Sequence, residues 1–131
     1  MIGLDTNVLL RYFMQDDIRQ SAKAGRLINS LSRTEQGFVS LVVVAELVWA
    51  LSYGFQLDRG ELHAVLVQLV NMPELKVEKT AQVLQALRQF KVSSVDLADC
   101  LIIGIAKNAG CSRTATFDRK AARLPGAFYI G

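Results

Sequence analysis

The stretch Met1-Ile2-Gly3-Leu4-Asp5-Thr6-Asn7-Val8-Leu9-Leu10 decides the fold class. Four uncharged, mostly apolar residues lead into Asp, Thr and Asn, all residues that cap helix N-termini, and an apolar run follows. This reads as a short buried strand that ends directly at a helix start. The same alternation continues outward. Asp17 caps a helical pattern to Leu31, with Ile18, Ala22, Leu27, Ile28 and Leu31 at helical spacing. Gly37 to Ser40 is a strand, and Ser40 caps an apolar helix that stops at Gly54. Asp58 and Glu61 have capping-box spacing for a helix through Val70. Leu75 and Val77 alternate with charged residues as in a half-solvated strand. Helices over 81–90 and 96–109 and strands over 113–116 and 127–130 complete the chain. Short strands alternating with helices predict an α/β sandwich with a largely parallel sheet, in which ligands sit at the carboxyl ends of the strands.

With 131 residues, two prolines and no repeat or linker, the chain is expected to form one domain, residues 1–131. No apolar run approaches the roughly 20 residues that span a bilayer, and the N-terminal residues lack a basic, then apolar, signal pattern. A cytoplasmic location with no membrane contact is the expectation. Cys100 and Cys111 have no paired spacing and no histidine cluster, so little points to zinc or disulfide chemistry, and both read as inert thiols. The formal charge of +3 indicates only an ordinary soluble surface, although withdrawing four acids to a metal would leave 15 basic groups facing eight acidic ones.

Those four acids are Asp5, Glu46, Asp99 and Asp118, each nearly alone within an apolar stretch. A carboxylate flanked by core residues is expected to be partly desolvated, which costs several kcal/mol unless it is paired. Several such acids are explained together if the fold gathers them around a divalent cation. Taken singly, simpler roles are open. Asp5 serves as a helix cap, Asp96 and Asp99 as a reciprocal capping pair, and Asp118 as the cap of a short basic helix over 119–124. Glu46 sits mid-helix, where capping does not apply, with Trp49, Ala50 and Tyr53 on its face. The ordinary reading makes Trp49 and Tyr53 core aromatics; the functional one has them stack an unpaired base.

Four segments together carry a resemblance: Leu4-Asp5-Thr6-Asn7, Ala45-Glu46-Leu47, Asp96-Leu97-Ala98-Asp99-Cys100 and Thr114-Ala115-Thr116-Phe117-Asp118. In this order the chain resembles the PIN-domain family, and more narrowly the VapC-type toxins of bacterial toxin–antitoxin pairs. The resemblance implies a three-layer α/β/α sandwich that binds Mg²⁺ or Mn²⁺ and hydrolyses RNA phosphodiesters. It places Asp5, Glu46, Asp99 and Asp118 at the acidic positions, with Thr6, Asn7 and Thr116 orienting them and Asp96 in support. It also implies a homodimer and a small antitoxin partner. Asp5 and Asp99 are then assigned as direct metal ligands. Glu46 orients or deprotonates the attacking water, and Asp118 acts through water or at a second ion. Arg11, Arg113, Arg119 and Lys120 are candidate phosphate contacts. Two other functions compete: a non-catalytic interaction module that uses a metal for structure only, and an aspartyl-phosphate phosphatase or receiver-like domain with Asp5 as nucleophile. The second lacks the neighbouring Asp and strand-terminal Lys that such sites use.

Overall fold

The first strand, β1 (Ile2–Gly3), runs into Asp5, which is extended and caps α1 (Thr6–Met14). A computed structural model describes residues 1–131, which form two compact units, Met1–Thr80 and Ala81–Gly131.

In the first unit, α1 turns at Gln15, a left-handed residue (φ 52°), into α2 (Ile18–Asn29), whose N-cap Asp17 accepts the Gln20 amide. Next come β2 (Gly37–Val39) and α3 (Leu41–Trp49), with the Ser40 hydroxyl accepting the Val43 amide as N-cap. The α3 helix ends in a π-helical turn over Ala50–Gly54. After it, α4 (Arg59–Asn71) and β3 (Leu75–Val77) close the unit. The three strands pair in the order β1-β2-β3, all parallel, with Ile2 opposite Gly37 and Gly37 opposite Leu75. Parallel neighbours require crossovers, and the helices between the strands supply them. The α1 helix packs on α2 and α3, and Leu9, Val39, Val44, Leu47, Leu51, Leu66 and Leu69 are fully enclosed.

The second unit holds α5 (Thr80–Lys91, entered from the last residue of the first unit), α6 (Leu97–Asn108) and the parallel pair β4 (Thr114–Thr116) and β5 (Ala127–Tyr129). A 3₁₀ turn over Ala121–Arg123 stands where the sequence suggested a short helix. Gly110 ends α6 at a φ of 101°, a conformation that favours glycine.

The α/β class, the parallel pairing and the order of elements agree with the sequence reading, and most boundaries move by one or two residues. No helix is long and apolar enough to cross a membrane.

The Asp58–Glu61 capping box is formed reciprocally: the Glu61 amide donates to Asp58 Oδ1 at 2.8 Å, and the Asp58 amide donates to Glu61 Oε1 at 3.0 Å. Asp58→Ala is therefore expected to cost about 1 kcal/mol. In urea unfolding this appears as a lower midpoint at unchanged slope.

Candidate catalytic carboxylates

In the first unit the site is built at the carboxyl ends of two adjacent parallel strands. Leu4 is buried behind β1, the chain turns outward at Asp5, and Thr6, only 8% exposed, opens α1. Its hydroxyl donates to Glu46 Oε1 at 2.7 Å. A buried hydroxyl needs a partner, and a carboxylate makes the bond charge-assisted and short. Glu46 is presented by the middle of α3, whose Val43, Val44, Leu47 and Val48 are buried. Asp5 Oδ1 accepts the Thr6 amide at 2.9 Å, so this side chain caps α1 at its first residue. Asp5, Thr6, Asn7, Glu46 and Trp49 line an open cleft of about 430 Å³.

In the second unit Asp96 is the N-cap residue of α6, yet its side chain makes no capping bond. The reciprocal Asp96–Asp99 cap considered from sequence is not formed. Asp99 lies one turn into α6 and is half-buried. Burial pushes its carboxyl pKa up, and the charges of Asp118 and then Asp96 push it further the same way. The Thr116 hydroxyl accepts the Asp118 amide at 2.9 Å, and Asp118 Oδ1 accepts the Ala121 amide at 2.9 Å. Asp118 thus caps the 3₁₀ turn while standing in the field of Asp99.

Several sequence expectations are corrected. Asp5, Glu46 and Asp118 are exposed, not desolvated; the apolar residues around Glu46 divide between a buried and an outward helix face. Trp49 and Tyr53 are not core aromatics, each being 65% exposed. On the same helix as Asp99, Ile102 is 57% exposed, while Ile103 is buried. Arg11, named from sequence as a phosphate contact, carries two exposed contacts that leave that role untouched: its Nε donates to Gln20 Oε1 at 2.7 Å, and it pairs with Asp16 at 3.0 Å.

Two contacts were not foreseen. The Arg113 guanidinium lies 4.0 Å from the centroid of the Phe128 ring, and that of Arg119 lies 4.5 Å from Tyr129. They depend on the β4–β5 register, which pairs Ala115 with Phe128 and Thr116 with Tyr129, and no local sequence pattern encodes it. Lys120 is exposed beside Arg119.

No three Asp, Glu, His or Cys side chains are gathered closely enough to form a ready-made metal cage. The donors present nonetheless suit one kind of ion. They are all oxygen, and the ion pairs of the chain, Met1 amine–Glu35 and Arg11–Asp16, engage none of them. Mg²⁺ is held through one or two carboxylates and keeps several waters, so it does not need a full protein cage.

A family model for the PIN domain matches residues 2–127. The chain belongs to the PIN-domain family. This PIN domain is also similar to a VapC ribonuclease of Aquifex aeolicus (strain VF5), with 27% identity over 122 residues that cover 92% of the chain and 90% of the relative.

The Asp99 environment gives a stability test. An acid whose folded-state pKa is raised destabilises the fold when ionised. That cost is absent below the unfolded-state pKa, grows as pH rises through the folded-state pKa, and is complete above it. Metal-free Asp99→Asn is therefore expected to melt at or above the wild-type temperature at pH 7. The difference should vanish as pH falls to about 2–3, below the ordinary Asp value of ~3.9, where the wild-type Asp99 is protonated in both states. A variant less stable by the same margin at both pH values would contradict this.

Proposed function

We propose that this chain is a divalent-cation-dependent endoribonuclease, hydrolysing RNA phosphodiesters as the toxin of a type II toxin–antitoxin pair. The observation that carries the reading is Glu46, held at one oxygen by the buried Thr6 hydroxyl and facing a cleft shared with Asp5. Family membership and the similarity to a VapC ribonuclease over nearly the full length of both chains support it.

Asp5 and Asp99 are the residues assigned to hold Mg²⁺ or Mn²⁺. When bound, such a cation neutralises charge developing on the phosphate and lowers the pKa of a water. The chain supplies the rest. With Oε1 of Glu46 occupied by Thr6, Oε2 is left to orient the attacking water and take its proton. Thr6 is thus a positioning residue that removes rotational freedom from an exposed side chain. Asp118, already bonded to the Ala121 amide, contributes charge and water contacts rather than a primary ligand. Asp96, free of a capping bond, supports Asp99. Asn7, exposed beside Asp5, completes the polar edge of the cleft, and Thr116 fixes the approach to Asp118. Arg113, Arg119 and Lys120 are the cations assigned to RNA phosphates, the two arginines held ready by their aromatic partners. Residues 1–131 act as one PIN nuclease domain in the cytoplasm, as a homodimer restrained by a small cognate antitoxin.

The test is RNA cleavage by the purified protein with Mg²⁺, Mn²⁺ or chelator. Cleavage is expected only with the ion, and Asp5→Asn, Glu46→Gln and Asp99→Asn are each expected to lower kcat at least a hundredfold, within the range of general-base and charge-stabilising effects. Asp118→Asn should lose less. Cleavage in chelator, or RNA binding with no cleavage under any ion, would overturn the hydrolytic reading; the latter result would favour a binding module.

A further inference from the structure

Resting on the ribonuclease reading above, we propose that Trp49 and Tyr53 form the platform on which an unpaired base of the RNA stacks, next to the phosphate that is cut. Both rings are 65% exposed, on the same outward helix face as Glu46. Their centroids are 5.6 Å apart at an interplanar angle of 47°, too close for a base to enter between them. The base therefore lies across the outer faces of the pair.

The local backbone is built to hold this pair together. After Trp49 the helix widens into a π turn over Ala50–Gly54, closed by the Phe55 amide donating to the Ala50 carbonyl at 3.0 Å. Here the turn carries Tyr53 on the solvent side and leaves Leu51 fully buried beneath it. Trp49 itself lines the cleft with Asp5, Thr6 and Glu46, one helical turn after Glu46.

The neighbours of the rings identify the occupant. A protein partner seated on Trp49 would also cover Glu46 and Asp5, whereas the cores of protein interfaces are depleted of charged residues. A nucleotide meets both demands, since its base presents a π face to the rings while its phosphate belongs at the acidic cleft. Unpaired bases are recognised in this way, and stacking accepts any base because each has such a face. The platform therefore sets a requirement for a single-stranded, unstacked nucleotide at the cut site, with little discrimination among the four bases.

Trp49 is the only tryptophan of the chain, so its fluorescence reports on the contact directly. Wild-type protein in chelator is titrated with a short single-stranded RNA, and with the same strand carrying one abasic nucleotide beside the site that is cleaved in Mn²⁺. Saturable quenching is expected with the intact strand, and a much smaller change with the abasic one. By cleavage kinetics in Mn²⁺, Trp49→Ala and Tyr53→Ala should each raise KM about five- to a hundredfold with kcat little changed, the mark of lost ground-state binding. Trp49→Phe should recover most of the loss. Both positions are exposed, so the melting temperatures should stay near wild type. Equal quenching by the intact and abasic strands, or an unchanged KM in both alanine variants, would overturn the platform and leave the nuclease reading standing. So would variants that lose self-association or antitoxin binding at unchanged RNA affinity, which would give this face to a protein. Base-dependent quenching by a wild-type protein that cleaves nothing in Mn²⁺ would support the platform and overturn the nuclease reading instead.

Discussion

The hydrogen bond from the buried Thr6 hydroxyl to Glu46 is the constraint on which the arrangement of the first unit's acids depends. It joins the start of α1, just after β1, to the middle of α3, just after β2, and those two strands are adjacent and parallel. The carboxyl ends of two neighbouring βα units are thereby tied at the edge where α/β folds place their ligands. An exposed glutamate otherwise samples many rotamers; here one oxygen is fixed by the threonine. The anchor is cheap to build because the threonine needs a partner in any case. Its cost would appear as lost function more than lost stability, since Glu46 without Thr6 remains solvated.

The second unit uses electrostatics where the first uses geometry. Asp96, Asp99 and Asp118 come from the start of α6 and the end of β4, and the half-buried Asp99 feels the charges of the other two. Such a group is poorly satisfied by itself. A bound cation would reverse the sign of that field. The arginines nearest in sequence to this chemistry stack on Phe128 and Tyr129. Arg119 thus remains next to Asp118 in the chain with its charge directed to a ring.

Most of the fold is legible in the sequence because each element carries its own punctuation. Asp17, Ser40 and Asp58 act as the caps their positions suggest, and Gly110 ends α6. The acids are legible as residue types within motifs, but their burial is not. Glu46 stands among valines and leucines, yet on α3 the outward face is itself largely apolar, with Val42 70% exposed. Apolar neighbours in sequence therefore overstated the desolvation of Glu46. For the same reason Trp49 and Tyr53 read as core residues. The π turn after Trp49 has no marker that periodicity detects. The Thr6–Glu46 bond spans forty positions, and the arginine–aromatic stacks depend on strand register, so both require the folded chain.

Whether these carboxylates hold a divalent cation is decided by thermal melting of the wild type and Asp99→Asn in chelator and across a Mn²⁺ titration. Binding to the folded state alone raises the wild-type melting temperature progressively with ion concentration, by mass action. That rise is expected in the wild type, with little or none in the variant. A wild type that gains nothing from the ion, or a variant that gains as much, would contradict it.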